Sequence, residues 1–199
     1  MKLLRTIKRK INSYLNFRTS LRIVFKFEKW HVAQFNQKEY AHWIVNELNK
    51  KVEKDNVLDI GCGLGDILKR LRYKNKLGID IDENVIKAAR FISKFRNSSY
   101  KSRYVCQNIF DVDIQERFNA IIIVNWIHNI ESSTLKLLIE KMYHNNLQNE
   151  GYIVFDVIER NKDYKYNHDI EFLIADFNSD YNVYGPFEYG RYIVFLRKG

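Results

Sequence analysis

The chain of 199 residues is long enough for one globular domain with a hydrophobic core and too short for two domains of ordinary size. With 46% hydrophobic, 15% aromatic and 29% charged residues, its composition excludes a disordered or fibrous protein. The net charge of +9 is concentrated in the first thirty residues, where nine Lys and Arg residues accompany a single acid, Glu28.

The two cysteines and the hydropathy pattern bear on the compartment. Cys62 and Cys106 are too few for a disulfide framework, and neither belongs to a C-x-x-C metal or redox pair. The longest uncharged stretch, around residues 120–130, is too short to cross a bilayer. Arg5, Lys8 and the basic residues after them interrupt any signal-peptide core. We therefore expect a reduced, cytoplasmic protein.

The chain begins with a pattern typical of a basic amphipathic helix. Its apolar residues recur at three- and four-residue spacing, with Lys and Arg between them: Leu3, Leu4, Ile7, Ile11, Tyr14 and Leu15. Such a helix suits an anionic membrane surface, as a peripheral contact, or packing on the core, and the pattern leaves both open. The β-branched stretch Leu21–Phe27 is not assigned, and a second helix is predicted over Asn36–Lys50. Residues 1–50 are therefore expected to form a basic helical segment or lid.

From Asn56 onward, short apolar runs alternate with amphipathic stretches of helical length. The predicted strands are Val57–Ile60, Leu77–Ile81, Tyr104–Cys106, Ala120–Asn125, Tyr152–Val157, Val183–Tyr184 and Tyr192–Leu196. The predicted helices between them are Asp66–Tyr73, Glu83–Phe95 and Ser132–Leu147. This alternation predicts an α/β domain over residues 51–199, with a mainly parallel sheet covered on both faces.

A glycine-rich turn follows the first of these strands. Gly61, Gly63 and Gly65 allow the backbone positive φ and close approach to a ligand, with Cys62 inside the turn. A dinucleotide site has a third glycine where this chain has Asp66, and Asp59 precedes the turn. Two carboxylates oppose a pyrophosphate but suit a cofactor with an amino group and a sulfonium, which predicts S-adenosylmethionine.

Two further positions agree with an adenosine cofactor. Asp80 ends the next strand, twenty-one positions after Asp59, where a carboxylate can accept hydrogen bonds from both ribose hydroxyls. Asn108 follows the third strand and can bond the adenine amino group. Ile81 and Ile109 are the predicted apolar contacts of the adenine ring.

These segments resemble the class I S-adenosylmethionine-dependent methyltransferases. The matching stretches are VLDIGCGLG (57–65), LGIDID (77–82), RYVCQNIFDVD (103–113), FNAIIIVNWIHNI (118–130) and LQNEGYIVFDVI (147–158). The family usually has an acid where Asn108 stands. The resemblance implies a Rossmann-like sheet of seven strands, mostly parallel with an antiparallel last strand. Trp30–Val32, Asn125–Ile130 and His168–Asp169 resemble a bacterial subgroup associated with surface polysaccharides.

Catalytic candidates are expected just beyond the carboxyl ends of the strands, where open α/β sheets bind ligands. Asn125 would lie nearest the methionine part of the cofactor, Trp126 would wall the pocket, and His128 or Asn129 would face the acceptor. We expect His128 as the base, because neutral imidazole accepts a proton near pH 7. The alternative is that His128 caps or packs beneath the next helix.

The remaining substrate candidates flank this core. Trp30, His31 and Tyr40 precede it, where a lid over the acceptor is expected. His168 lies in a polar, aromatic stretch after the fifth strand that completes the pocket or forms a solvated loop. No metal is expected, because the histidines lack ligand spacing with acids.

Three functions are weighed. The first is methyl transfer to a small molecule or glycan, with oxygen favoured as the acceptor atom. The second, RNA methylation, is disfavoured because the stretch after the fourth strand lacks the proline clamp of base methyltransferases, and the domain is nearly neutral beyond the N-terminus. The third is a binding module without catalysis. The pattern leaves the oligomeric state open.

Overall fold

The structure is a computed structural model that describes residues 17–95, 101–159 and 164–199. Its centre is a seven-stranded sheet with the order β3-β2-β1-β4-β5-β7-β6. The strands are β1 (Asn56–Ile60), β2 (Asn75–Asp80), β3 (Lys101–Cys106), β4 (Phe118–Ile123), β5 (Leu147–Ile158), β6 (Tyr181–Phe187) and β7 (Arg191–Arg197). All neighbouring strands pair in parallel except β7, which runs antiparallel to both β5 and β6. The predicted strands and the antiparallel last strand are confirmed.

Helices cover both faces of the sheet. Residues 17–25 form α1. The others are α2 (Glu39–Lys50), α3 (Glu83–Lys94), α4 (Ser132–Lys141) and α5 (Ile170–Ile174), and a π-helical turn, Met142–Asn146, follows α4. The predicted helices Asn36–Lys50, Glu83–Phe95 and Ser132–Leu147 are confirmed with shorter bounds. The predicted amphipathic helix over Leu3–Leu15 lies outside the described residues.

The core consists of one cluster on each side of the sheet. Residues of α4 and α5, such as Leu138 and Leu173, pack with Ile121 and Ile153 on one side. On the other side, Ile44 and Leu48 of α2 pack with residues of β1, β4 and β7. The described part of the N-terminal segment therefore contributes to the same core as the sheet.

The predicted helix over Asp66–Tyr73 is wrong. Residues 61–67 form turns, Leu68–Arg70 is a single 3₁₀ turn, and residues 71–73 are irregular, with Leu71 and Tyr73 buried. This connection must return from the carboxyl end of β1 to the amino end of β2. The distance is about 17 Å, the length of the five residues of a strand such as β1. Eight helical residues span only about 12 Å, so the chain covers the distance with extended backbone.

The stretch Leu21–Phe27, left unassigned from sequence, is helical as far as residue 25. Leu21 and Phe27 are buried with Val85 and Ala88 of α3 and with Leu64 of the glycine turn. Contact with α3 outweighs the β-branched character of Ile23 and Val24, whose side chains are exposed. The N-terminal segment thus reaches the edge of the sheet where the site lies.

Candidate active site

The glycine turn is fixed to the carboxyl end of β2. The backbone amides of Gly61 and Cys62 both donate to the carbonyl of Ile79, at 2.8 and 3.0 Å. The backbone amide of Gly63 donates to one oxygen of the Asp80 carboxylate at 2.8 Å, and the backbone amide of Asp82 donates to the other oxygen at 3.0 Å. Asp80 is therefore held at the place predicted for the ribose site, with lone pairs left for hydroxyl donors.

Aromatic side chains of the protein itself approach the three glycines. All three have positive φ, as predicted. A Cβ on Gly61 would lie 2.1 Å from the ring of Trp126, and one on Gly63 would lie 3.1 Å from the imidazole of His31. At Gly65 the close neighbour is the hydroxyl of Tyr104. The glycines are thus required by the packing of the site as well as by any ligand.

Asp59 and Asp80 end neighbouring strands and affect each other. Both are buried, and burial together with the charges of Asp80 and Asp66 raises the pKa of Asp59 to about 8. Lys38 opposes this shift. Asp59 is therefore mainly protonated at neutral pH, and a bound cation would favour its ionised form.

Asp66 points away from the ligand side that the sequence suggested and binds the N-terminal segment. Both of its oxygens accept hydrogen bonds from Arg18, at 2.5 and 2.7 Å. Burial raises the pKa of Asp66, but the charges of Lys69 and Arg18 outweigh it and hold this pKa below its ordinary value. Arg18 is itself buried and also donates to the carbonyl of Ala33 at 2.6 Å.

The predicted lid residues lie at different depths. His31 is half-buried against Gly63, and burial lowers its pKa, so its imidazole is neutral at pH 7. Trp30 is exposed beside it, with ring centroids 5.7 Å apart. Tyr40 is buried beneath the guanidinium of Arg191, which lies 4.4 Å from the centre of its ring. Of these three residues, His31 therefore lies against the glycine turn, and Trp30 lies beside His31.

The residues predicted to contact adenine lie beside Asp80. The amide of Gln107 donates to the carbonyl of Asp80 at 3.0 Å, which brings Asn108 to the end of β2. Asn108 binds Asp111 and the amide of Phe110. Ile81 is exposed, as a ring contact requires.

Ile109, the other predicted ring contact, is buried in the core. Its apolar side chain is drawn into the cluster beneath the sheet, which leaves the neighbouring side chain outside. Phe110 is that neighbour, exposed and 6.5 Å from the ring of Trp126, so it is the apolar wall on this side.

The chain makes a strained three-residue turn at the end of β4. Asn125 has φ 77° and ψ −49°, and the amide of Trp126 donates to the carbonyl of Val124 at 3.1 Å. This γ-turn is rare for residues other than glycine, and such strain is concentrated at functional sites. The turn is held because the Asn125 amide donates to Asp156 at 2.8 Å.

Asp156 lies in a fully buried polar cluster at the ends of β4, β5 and β7. It forms an ion pair with Arg191, and His128 donates from Nε2 to its Oδ2 at 3.1 Å. Arg191 also donates to the side chain of Asn125 at 3.5 Å and to the hydroxyl of Tyr164 at 3.4 Å. One carboxylate therefore determines the positions of the backbone and the side chain of Asn125.

The structure does not bring His128 to the surface of the crevice. Its side chain is 0% exposed, and Tyr164 lies against its ring at 4.7 Å between centroids. Burial and the charge of Arg191 lower its pKa to about 4. The geometry therefore agrees with the packing alternative, because the imidazole binds a neighbouring carboxylate instead of facing an acceptor.

The other substrate candidates after β4 and β5 lie at different depths. His168 is buried, with one ring nitrogen bonded to Ser132 at 2.8 Å and the other to the carbonyl of Ile127 at 3.0 Å. These bonds fix the loop after β5 to the end of β4. Asn129 is exposed and donates to the carbonyl of Trp126 at 3.3 Å. Trp126 is half-buried and donates to the carbonyl of Ile60 at 2.7 Å, so its ring lies against the glycine turn.

Sequence reasoning missed Arg18 and Arg191 as residues of the site. Arg191 is the charged first residue of β7 and precedes the apolar and aromatic run Tyr192–Leu196, a pattern that signals a special position. Arg18 gave no such signal, because it stands among many basic residues. Only its burial distinguishes it.

Comparisons with known proteins agree with this geometry. The family model of a methyltransferase domain matches residues 57–151. A curated protein of Geobacillus sp. (strain WCH70), whose name describes a methyltransferase, is 24% identical over 166 residues. This alignment covers 77% of the chain and 64% of that protein, so the chain spans less than two thirds of its relative.

Solved structures share the fold. The N-methyltransferase NodS from Bradyrhizobium japonicum, in complex with S-adenosyl-L-homocysteine, has a TM-score of 0.69 at 17% identity, covering 90% of this chain and 97% of NodS. Magnesium protoporphyrin IX methyltransferase from Synechocystis, with bound SAM, has a TM-score of 0.65 at 13% identity, covering 81% and 80%. The fold is the Rossmann-like methyltransferase fold. Together, these findings show the methyltransferase fold and a match to a methyltransferase domain over residues 57–151.

The residues present fit S-adenosylmethionine. Asp80 retains acceptor capacity for ribose hydroxyls, the side chain of Ile81 is exposed beside it, and Asn108 lies at the adjacent strand end. Asp59 offers a carboxylate, partly protonated, for a cationic group.

We expect Asp59→Asn to separate stability from cofactor binding. The folded-state pKa of about 8 exceeds the ordinary value of 3.8, so the folded protein binds the proton more tightly and stability falls as pH rises from about 4 to 8. The variant lacks this loss, so its Tm should exceed that of the parent at pH 8 and approach it toward pH 5. Its affinity for S-adenosylmethionine should fall about tenfold. Thermal melts and calorimetry measure both. A lower Tm at pH 8 would contradict the assignment.

The Arg18 bond allows a double-variant test. Arg18→Met leaves a partly buried carboxylate without its bidentate partner and should reduce the free energy of unfolding by about 2–3 kcal/mol. Cofactor affinity should fall as well, because Arg18 binds both Asp66 after the glycine turn and the backbone carbonyls of His31 and Ala33. Adding Asp66→Leu should restore part of the free energy of unfolding, since an apolar pair replaces the Arg18–Asp66 ion pair, while Lys69 and Arg70 each lose their ion pair with Asp66. Denaturant titration measures the free energy of unfolding of the parent, both single variants and the double variant. If the losses of the two single variants add in the double variant, Arg18 and Asp66 are not coupled.

Proposed function

We propose that this chain transfers the methyl group of S-adenosylmethionine to a hydroxyl of a small molecule or glycan. The bond from sulfur to the methyl carbon breaks as the bond from oxygen forms, S-adenosylhomocysteine leaves, and the hydroxyl proton passes to water. The observation that supports this best is the Asp80 carboxylate, bonded to the amide of Gly63 and placed beside Asp59 at the end of the neighbouring strand. This arrangement offers acceptors for ribose hydroxyls and a carboxylate for a cation, and it opposes a pyrophosphate.

The cofactor's contribution is an electrophilic methyl group on sulfur. Asp80, Asn108 and Ile81 would hold the adenosine part, while Asp59 and Asn125 would hold the amino-acid part. Trp126 and His31, which contact Gly61 and Gly63, would close over the cofactor and exclude water. The protein's main contribution is alignment, which can supply roughly 7–11 kcal/mol in a displacement of this kind.

The acceptor would lie over the ends of β4 and β5. Asn125 is exposed there, with its side chain fixed by Arg191, and Tyr164 completes the surface. Because Arg191 is neutralised by Asp156, this surface presents polar groups with little net charge. Such a surface suits a neutral polyhydroxyl acceptor better than a phosphate backbone. We further propose that the acceptor belongs to a surface polysaccharide or its precursor, and that the protein methylates it on the cytoplasmic side of the membrane.

We assign His128 a positioning role in place of the predicted role of base. Its imidazole is buried and bonded to Asp156, which in turn holds the amide of Asn125. A pKa of about 4 also makes His128 a weak base. The histidine would therefore act through Asp156 on the geometry of the turn.

The proposal is tested in two steps. Calorimetry with S-adenosylmethionine should show binding, and its absence at millimolar cofactor would overturn both enzymatic functions. Labelled methyl transfer is then measured with a polysaccharide or nucleotide-sugar extract and with total RNA. Label should appear in the glycan fraction. Label in RNA alone would support RNA methylation instead, and binding without transfer to either would favour a module without catalysis.

Variants of His128 distinguish positioning from base catalysis. His128→Ala should lower kcat at least tenfold and weaken cofactor binding to a smaller extent, because Asp156, which holds Asn125, loses one of the groups that fix it. His128→Gln retains a donor to Asp156 and should keep most of the activity. Equal losses in both variants would instead indicate a proton acceptor. Calorimetry and thermal melts serve as the controls for binding and folding.

A further inference from the structure

Exposed apolar side chains cluster where α1 packs against α3. We define the apolar patch as Phe17 and Val24 of α1 together with Phe91 and Phe95 of α3, all of which are exposed. The two helices are in contact, since the rings of Phe25 and Phe91 have centroids 5.6 Å apart. The patch is therefore one surface built from two separate stretches of sequence.

A groove runs through this patch. Phe17, Phe91, Ile92 and Phe95 line an open volume of about 400 Å³. Phe95 is 75% exposed and Val24 is 70% exposed. Large aromatic side chains left in water in this number indicate an interaction surface, because burying them elsewhere is favourable.

Basic residues border the patch. Besides the buried Arg18, the Lys and Arg residues on the same two helices and the turn after α1 are Arg22, Lys26, Lys29, Lys87, Arg90 and Lys94, against the two acids Glu28 and Glu83. Residues 1–16, which directly precede Phe17, add five Lys and Arg residues and no acid. Most of the net charge of the chain therefore belongs to sequence at or next to this surface.

The positive charge beside the apolar patch indicates what binds there. A second copy of this chain would bring two basic borders together, and residues 1–16 would add positive charge beside the same border, so both arrangements are opposed by repulsion. An anionic bilayer combines an apolar interior for the aromatic side chains with phosphates for the Lys and Arg residues. Aliphatic Val24 and Ile92 among the aromatic side chains suit acyl chains better than stacked bases.

We propose that the apolar patch and its basic border dock this protein on an anionic membrane surface. The docking surface includes α1, whose Arg18 binds the glycine turn through Asp66. Bound in this way, the protein holds the segment that contacts its cofactor turn close to the lipid headgroups. The docking itself is independent of which acceptor is methylated.

The full chain is tested by co-sedimentation with vesicles. Vesicles of phosphatidylcholine with about 30 mol % phosphatidylglycerol should bind it at least tenfold more tightly than phosphatidylcholine alone, and about 0.5 M salt should remove most of the difference. Equal binding to both vesicles, or no binding to either, would overturn the proposal.

Matched variants locate the surface. Phe17→Ser/Phe95→Ser should reduce binding about tenfold, whereas Leu137→Ser, which removes an equally exposed apolar side chain from α4, should leave it unchanged. Lys87→Glu/Lys94→Glu should weaken binding to anionic vesicles, and Arg117→Glu, an exposed residue outside the patch, should have less effect.

Three outcomes would assign the patch to another occupant and overturn the proposal. Sedimentation velocity that shows self-association abolished by Phe17→Ser/Phe95→Ser would indicate a second copy. A large loss of Tm in this variant with unchanged vesicle binding would indicate that the chain covers its own groove. Binding of single-stranded RNA that depends on the same residues, without vesicle binding, would indicate a nucleic acid.

Discussion

The bidentate bond between Arg18 and Asp66 connects the two parts of this molecule. Asp66 follows the glycine turn, and Arg18 belongs to the first described helix, so one pair of side chains joins the sheet edge to the N-terminal segment. Arg18 also binds the carbonyl of Ala33, which fixes the stretch that carries His31 over Gly63. Because the guanidinium is buried, the bond is little screened by water or salt, and the arrangement of the turn and its cover depends on it.

The same edge of the sheet contains a second buried ionic group, and its arrangement sets what the site can do. Asp156 accepts from Arg191, from His128 and from the backbone of Asn125, and so it holds a strained turn at the point where β4 ends. A carboxylate with three donors stays ionised and in place. Asp59 is the opposite case, because burial beside Asp80 without a bidentate partner raises its pKa and prepares it to respond to a cation. In the proposed function, the fixed group lies near the acceptor and the electrostatically responsive group lies near the cofactor.

The positive charge of the chain has two uses that composition does not separate. The charge of Arg18 is neutralised inside the structure by Asp66, and the charge of Arg191 is neutralised by Asp156. Neither residue therefore adds to the electrostatic potential at the surface. The remaining basic residues of α1 and α3 lie at the surface beside exposed aromatic side chains. Of the residues that the structure describes, no helix has the length and apolar character needed to cross a bilayer. In the described residues, this remaining charge therefore lies at the surface of α1 and α3, whereas Arg18 and Arg191 are paired inside the structure.

The sequence determined the strands, their alternation with helices, the glycine turn and Asp80, because hydrophobic period and glycine spacing are local properties of the chain. It did not determine the connection after Gly65, where the distance to the next strand outweighed a helical pattern. Nor did the sequence determine the role of His128 or His168. The sequence pattern of a histidine after a strand is the same whether the side chain faces solvent or a buried polar group. Arg18 shows the limit most clearly. Of the four Lys and Arg residues that the structure describes between positions 17 and 30, it is the one with a buried side chain, and only the tertiary structure distinguishes it, since its burial depends on contact with a residue 48 positions away.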